Sequence, residues 1–484
     1  MTSTLEPVLA AAAAAANPVA TAAPAVRAGW LRAIADVLDA AGDELVPLAM
    51  AETHLPEARL RGELRRTTFQ LRLTADTLEE GSWLELTLDS PDPDWPTGPR
   101  PDLRRMLRAV GPVLVVAASN FPFAFSVAGG DTASALGAGC PVVLKAHPGH
   151  PRLSVRTAEL VRAALDDAGA PAGTFALTTG EDETQAALRD PRIKAGAFTG
   201  SARGGRALFD IAASRPDPIP FYGEQGSVNP AFLLPSVFVD EKAGDAVLDG
   251  FVTSFNLNGG QFCTAPGLLF VPAGSGAAER LRPRVEAAAA NPMLNDRIEQ
   301  GLLGRVQEMT RQWSTVVAGD TGPDGVSASL FTTRFADAVD RLEELTEEAF
   351  GPAAVVVEYD DADQLATLAA RLPGQLTATV HGDADDPAAP ALVAELAVSA
   401  GRIIWNGWPT GVSVTWAMQH GGSWPATTAS LHTSVGPTAL RRFLTPVAYQ
   451  SVPENLLPEA LRSANPYGAW RRLDGTLVPA EPLD

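Results

Sequence analysis

Three side chains in this sequence have types and settings suited to acyl chemistry. Cys263 lies in Asn258-Gly-Gly-Gln-Phe-Cys-Thr-Ala-Pro266, where two glycines permit close backbone approach to a ligand and the proline ends the segment. A thiol on such a loop is a candidate nucleophile, although an arbitrary cysteine is more often a small buried hydrophobe. Cys140, in Gly-Ala-Gly-Cys-Pro-Val-Val-Leu, keeps the second reading. Glu224 stands in Phe221-Tyr-Gly-Glu-Gln-Gly-Ser-Val-Asn-Pro230. Burial in that apolar-bounded turn would raise its carboxyl toward a useful general base, against the plainer reading of a solvated loop residue. Asn120, in Ala118-Ser-Asn-Phe-Pro122, follows an expected strand. An amide at that end of a parallel strand points into the usual ligand crevice and can donate to an oxyanion, whereas a lone Asn before proline more often makes a turn.

A second group of residues suits a phosphate-bearing ligand. Lys145 ends the strand of Val142-Val-Leu-Lys and is placed for a ribose or phosphate contact. Phe198-Thr-Gly-Ser-Ala-Arg-Gly-Gly205 follows another strand and opens a helix expected over Arg206 to Ala213. Gly200 and Ser201 therefore sit where a helix N-terminus favours anions. The spacing is not G-x-G-x-x-G, so this motif is weak alone.

The elements that would hold these residues follow from periodicity. Helical spacing dominates residues 26–84, through Trp30, Leu31, Ile34, Val37 and Leu38, then Leu60, Leu64, Phe69, Leu71 and Leu73. Asp89 to Pro101 is proline-rich and reads as an extended connector. Strands and helices then alternate: strand Val113 to Ala117, helix Ala128 to Ala138, strand Pro141 to Lys145, helix Leu153 to Ala168, strand Phe175 to Thr178, helix Thr184 to Leu188 and strand Ala195 to Phe198. This alternation predicts an α/β fold with a parallel, doubly wound sheet. The pattern restarts after residue 226, with strands Ala231 to Leu234, Leu268 to Val271 and Ala353 to Glu358 and helices Ala243 to Asn256 and Ala362 to Leu372. A second α/β domain follows from it. The tail from about 440 is proline-rich, less regular, and expected to pack on another surface.

Composition narrows the partners. A net charge of −20 and a pI near 4.7 oppose nucleic acid and anionic membranes. Two cysteines and histidines without zinc-type spacing argue against a disulfide framework or a metal site and favour a reducing cytoplasm. No apolar run approaches the roughly 20 residues of a membrane span, and the alanine run near the N-terminus lacks the basic flank of a signal peptide.

Taken together, Asn-Phe-Pro, the strand-ending lysine, Phe-Thr-Gly-Ser, the Glu before Gly-Ser, Gly-Gln-Phe-Cys-Thr and Glu348-Ala-Phe-Gly-Pro352 occur in the order seen in aldehyde dehydrogenases. The chain resembles that family from about residue 20 onward. Within it, the chain is most similar to the 2-oxoglutarate semialdehyde (2,5-dioxopentanoate) dehydrogenase branch. The carriers are Ser126-Val-Ala-Gly-Gly-Asp-Thr-Ala-Ser134, Lys145-Ala-His-Pro, Asn406-Gly-Trp-Pro-Thr-Gly-Val412, His420-Gly-Gly, Pro425-Ala-Thr-Thr and Pro446-Val-Ala-Tyr-Gln450.

The resemblance implies Cys263, Glu224 and Asn120 as catalytic residues. It implies Lys145, Gly200, Ser201, Glu348 and Phe350 as contacts to NAD or NADP, Glu348 at the nicotinamide ribose and Lys145 at the adenosine ribose. Glu224 argues for hydrolysis of a thioester rather than its transfer to CoA. The implied fold has a cofactor domain (1–85 and 109–225), a catalytic domain (226–429) and a bridging, oligomerising element (86–108 and 430–484), assembled as a homodimer or homotetramer.

Three departures matter. The N-terminal strand segment is shortened. Ser430-Leu431 stands where the family has Ser-Arg, which removes a cation for a substrate carboxylate. Pro148 stands where NAD-preferring relatives carry a Glu, which leaves room for a 2′-phosphate and tilts the expectation to NADP, although Glu181-Asp-Glu183 is placed to repel one. Leu431 with Phe123, Phe125, Trp408 and Trp416 keeps open a medium-chain or aromatic aldehyde, and an inactive oligomeric scaffold is the reading from another class.

Overall fold

The computed structural model describes residues 5–479. The alanine-rich start is the helix Leu5–Thr21, whose buried residues Leu5, Leu9, Ala12, Ala15 and Val19 recur every three or four positions and form one stripe. Leu5, Leu9 and Ala12 of that stripe pack with Leu114, Val116 and Val143 of the first sheet, and Ala15 and Val19 join the largest core cluster. Helices Pro24–Ala40, Gly42–Thr53 and Glu57–Glu80 follow. Trp30, Leu31, Ile34 and Leu38 join Leu60 and Leu71 in the largest core cluster.

Strands β1 (Thr87–Asp89) and β2 (Leu103–Ala109) then leave the body as an antiparallel ribbon. The expected structureless connector between them folds back on itself through a bridge between Asp92 and Arg100. Next come β3 (Val113–Val116), β4 (Val142–Lys145), β5 (Phe175–Thr178), β6 (Ala195–Thr199) and β7 (Phe221–Glu224), all parallel in the order β5-β4-β3-β6-β7. The chain runs outward from β3 to β5 and returns to the other side of β3 for β6. The strand order therefore reverses between β3 and β6, which opens a crevice at their carboxyl ends. β3 and β4 are buried along their whole length, as a sheet covered on both faces requires.

A seven-stranded sheet follows, built from β8 (Ala231–Leu233), β9 (Leu268–Pro272), β10 (Ser314–Val317), β13 (Ser329–Arg334), β14 (Ala353–Tyr359), β15 (Gln375–His381) and β16 (Ala400–Trp405) in the order β10-β13-β14-β9-β8-β15-β16. The intervening β11 (Thr321–Gly322) and β12 (Gly325–Val326) form a separate two-residue ladder. Only β10 runs antiparallel in this sheet. β17 (Leu444–Gln450), β18 (Arg471–Leu473) and β19 (Thr476–Val478) return to the ribbon and complete a sheet ordered β17-β2-β1-β18-β19. The tail is thus more regular than its composition suggests. Strand pairing starts at Leu444, while Leu440 and Phe443 pack into the largest core cluster.

Candidate active site

Glu224 is the last residue of β7, at the carboxyl edge of the first sheet. The free side of β7 is closed by a late segment of chain. Gly223 N donates to Thr428 Oγ1 at 2.7 Å, Thr428 N to the Gly223 carbonyl at 3.0 Å, and Gln225 N to the Ala426 carbonyl at 2.8 Å. That attachment carries His420 and Ser434 over the Glu224 carboxylate. His420 Nε2 lies 2.9 Å from Glu224 Oε1, and Ser434 Oγ donates to Oε2 at 2.5 Å. The Ser434 hydroxyl also lies 3.2 Å from the His420 carbonyl.

Cys263 comes from the second sheet's side, on the loop between helix Glu241–Asn256 and β9. Asn258, Gly259 and Gly260 all have positive φ, at 49°, 70° and 64°. A Cβ on Gly260 would lie 2.5 Å from the Gly351 carbonyl, so the loop is tight because the sequence permits it there. Two buried amides fix the rest of the loop. Asn229 Nδ2 donates to the Cys263 and Ala265 carbonyls, both at 2.9 Å. Gln261 accepts from Leu294 N at 2.8 Å and donates to the Asn258 carbonyl at 3.0 Å.

The half-buried Cys263 Sγ lies 3.6 Å from His420 Nε2. One nitrogen, one sulfur and one carboxylate oxygen from His420, Cys263 and Glu224 thus fall within 4.8 Å of one another. Asn120, just past β3, is buried, and its Nδ2 donates to the Gln261 carbonyl at 3.2 Å. That bond holds the amide against the Cys263 loop, two residues before the cysteine.

Electrostatics sort these groups. Burial pushes the Cys263 thiol up, and the Glu224 and Glu348 carboxylates push it further, with Arg66 opposing. Burial also raises the Glu224 carboxyl, but the His420 charge and hydrogen bonds from His420, Ser434 and Cys263 outweigh it and hold the group below its usual value. Glu224 is therefore ionised at neutral pH while the resting thiol keeps its proton. Cys140 lies fully buried in the first core, its thiol pushed up to about 11 chiefly by desolvation.

The residues expected to hold a cofactor lie on several elements. Lys145 closes β4, opposite Val116 on one side and Thr178 on the other. Ser201 caps helix Ala202–Ala213, accepting from Gly204 N at 3.2 Å, so this helix begins four residues before the expected Arg206. Gly200 N donates to the Glu224 carbonyl at 3.0 Å. Glu348 is raised by burial to about 7, opposed by a hydrogen bond from the Ser227 backbone. A Cβ on Gly226 would lie 1.9 Å from Glu348 Oε2. Phe350 packs against the first core. A helix N-terminus that favours anions after β6 and a lysine ending β4, both at the carboxyl edge of the first sheet, suit a dinucleotide.

His420 and Ser434 received no role from the sequence, since nothing in their spacing connects them to Glu224. The segment His420-Gly-Gly was legible only as a branch feature. Of the aromatics grouped with a hydrophobic substrate, two lie elsewhere. Phe123 is in the core, and Trp408 packs on Phe251 and His381 at ring distances of 5.6 and 4.5 Å. Phe125 does face the site, 6.3 Å from the His420 ring. Leu431 is 91% exposed.

Comparison with known proteins agrees with this geometry. The profile of the aldehyde dehydrogenase family matches residues 2–444. The chain is 44% identical to alpha-ketoglutaric semialdehyde dehydrogenase 2 of Azospirillum brasilense, over 93% of this chain and 87% of that protein. It is 40% identical to alpha-ketoglutaric semialdehyde dehydrogenase of Acinetobacter baylyi with the same coverage. Among solved structures, a mutant of aldehyde dehydrogenase C from Pseudomonas syringae complexed with NAD+ and octanal superposes with a TM-score of 0.77 at 21% identity, over 92% of this chain and 88% of that one.

Proposed function

The chain belongs to the aldehyde dehydrogenase family and oxidises aldehydes with NAD(P), and from that premise we propose that its substrate is a 2-oxoglutarate semialdehyde-type aldehyde oxidised through Cys263. The observation that carries the substrate is 40–44% identity to two alpha-ketoglutaric semialdehyde dehydrogenases across 93% of the chain. The side chains around Cys263 support it. Leu431 points to solvent, so the arginine missing there leaves no gap in the pocket. A different cation is at hand: Arg66 lies over the Phe125 ring at 5.3 Å, its charge acts on Cys263 and Glu224, and its Nη1 is buried without a hydrogen-bond partner. A substrate carboxylate would satisfy that atom.

In the proposed mechanism the Cys263 sulfur adds to the aldehyde carbon. The oxyanion takes hydrogen bonds from the Asn120 amide and from the Cys263 backbone N–H, a kind of donor worth about 3–4 kcal/mol. When bound, NAD(P) would supply the hydride acceptor needed for the adduct on Cys263 to become a thioester. Glu224, ionised at rest, then takes a proton from the water that releases the acid. Lys145, Gly200, Ser201, Glu348 and Phe350 would hold the dinucleotide. We assign it as NADP in preference to NAD. Pro148 is exposed and uncharged, and the Glu183 carboxylate turns back to accept from Gly180 N at 3.4 Å, at its own helix start. The five-stranded sheet, with its free edges at β17 and β19, is assigned as the element that joins copies into a dimer or tetramer.

The test is reduced-nicotinamide formation from 2,5-dioxopentanoate, hexanal and benzaldehyde, each with NAD and NADP. A higher kcat/KM for the dioxo acid with NADP is expected. Preference for the uncharged aldehydes overturns the substrate, and preference for NAD overturns the cofactor. Full turnover by Cys263→Ala overturns the nucleophile.

A further inference from the structure

We propose that Arg59 is a positioning residue for the oxyanion donor, holding the Asn120 amide in place against the Cys263 loop. This rests on the reading of Asn120 as donor and Cys263 as nucleophile. The motivating observation is a closed cycle of contacts among three parts of the chain. Arg59, on helix Glu57–Glu80, donates from Nη2 to the Asn120 carbonyl at 2.6 Å. The Asn120 side chain donates in turn to the Gln261 carbonyl at 3.2 Å. Gln261 is joined directly to Phe262, whose ring meets the Arg59 guanidinium with its centroid 4.7 Å away. Phe121, next to Asn120, presents its ring to the same guanidinium at 5.0 Å.

Each link constrains the donor. A guanidinium bond to a carbonyl is charge-assisted, shorter and stronger than a neutral one. The Phe121 and Phe262 rings stand at 82° to each other, 5.4 Å apart, so a cation attracted to both is fixed in orientation as well as position. The bond to Gln261 holds only the side-chain end of Asn120, and the Arg59 bond holds its backbone end. Glu63, one turn further along the same helix face, fastens the rest of that loop: its Oε1 accepts from Phe123 N and Ala124 N at 2.8 and 3.0 Å.

The placement of Arg59 is unfavourable for a residue of no consequence. Arg61 and Arg72 of the same helix pair with acidic side chains at the surface. Arg59 instead turns inward, where burial holds its guanidinium below the usual range with only the Glu63 charge opposing. Its Nη1 is buried with no hydrogen-bond partner among the described residues. Burying a charge in this way opposes folding, and the group gains one carbonyl and two rings in return, all three belonging to Asn120 or its neighbours across the cycle.

The test is a double-mutant cycle on the full chain: parent, Arg59→Met, Asn120→Ala and the pair. Each is followed by the transient rate of reduced-nicotinamide formation, with whichever aldehyde of the panel above turns over fastest. Arg59→Met should slow the transient about 10–10²-fold, the scale of a small misplacement of a reacting group. KM for the aldehyde, cofactor affinity by fluorescence titration and the thermal midpoint should stay near those of the parent. In the Asn120→Ala background the same change should slow the transient little further, because the donor that Arg59 positions is gone.

Equal factors in the two backgrounds overturn the proposal and leave Arg59 a packing residue. An unchanged transient in Arg59→Met overturns it as well. Arg59→Gln, which keeps a neutral N–H donor on a shorter stem, repeats the cycle where Arg59→Met fails to fold, with the same outcomes on either side. A parent-level transient in Asn120→Ala alone sinks the reading of Asn120 instead, and turnover by Cys263→Ala that of the nucleophile, which keeps the failures apart.

Discussion

Replacing Glu224 by Gln separates the two halves of the reaction. The substitution keeps the side chain's shape but removes its basicity. A positioned general base contributes about 10²–10⁴ in rate, or about 3–5 kcal/mol of barrier.

The local structure also bears a modest loss. The carboxylate faces Ser434 Oγ at 2.5 Å and His420 Nε2 at 2.9 Å, and both contacts use its negative charge. An amide can offer an oxygen to only one of them. Its NH2 must face the other, which the Ser434 hydroxyl tolerates by turning its hydrogen to the His420 carbonyl 3.2 Å away. One charge-assisted bond is lost, at about 1.5–3 kcal/mol.

The assay is stopped-flow reduced-nicotinamide absorbance with saturating aldehyde and cofactor. The expected trace is a burst of one equivalent per subunit followed by a stall, with the acyl group found on Cys263 by mass spectrometry. Steady turnover at the parent rate without a burst would refute the assignment.

The pH dependence has a definite sign. The Glu224 carboxyl is held below its usual value, so the base form persists across neutral pH. Activity and the stability carried by the carboxylate contacts are both lost as pH falls through that depressed value.

Other perturbations address the remaining parts of the site. Asn120→Ala removes an oxyanion donor and should lower kcat about 10²–10³-fold in steady-state assays, with little change in cofactor affinity. Arg66→Met should raise KM for 2,5-dioxopentanoate by tenfold or more, about 1.4 kcal/mol, and leave hexanal nearly unaffected. Equal effects on both substrates would argue for a packing role. Asp131→Ala strips the partner from the buried Arg442 guanidinium, 2.7 Å away, and should cost about 3–5 kcal/mol in denaturant unfolding. Thiol titration should count one cysteine in the native protein and two after unfolding, because Cys140 is fully buried with its thiol pushed up to about 11.

The alternating strands and helices of the first sheet were legible in the sequence because each buried parallel strand is a short apolar run between turn residues. Val113–Val116, Val142–Lys145 and Phe175–Thr178 lie where their composition puts them. Leu444–Gln450 was not legible as a strand. Its burial is only intermittent and Pro446 interrupts it, yet it pairs with β2 along seven residues. The positions of Cys263 and Asn120 were readable from glycine spacing and a strand end. His420 and Ser434 were not, because their link to Glu224 depends on a long-range attachment, the pairing of Ala426 and Thr428 with β7. No local pattern records which late segment closes that strand.

That attachment also explains how the site manages a protonated resting nucleophile. Cys263 sits near two carboxylates, Glu224 and Glu348, in a desolvated setting, and each factor opposes a standing thiolate. A resting thiol resists the oxidation and adventitious alkylation that a permanent thiolate invites. The thiol proton must then leave when the aldehyde arrives, and the carboxylate that faces the thiol, Glu224, is kept ionised by the segment that closes β7: the pairing of Ala426 and Thr428 brings His420 Nε2 within 2.9 Å and Ser434 Oγ within 2.5 Å of it. The same closure of β7 that hides Glu224 from solvent therefore keeps it in the form the reaction needs.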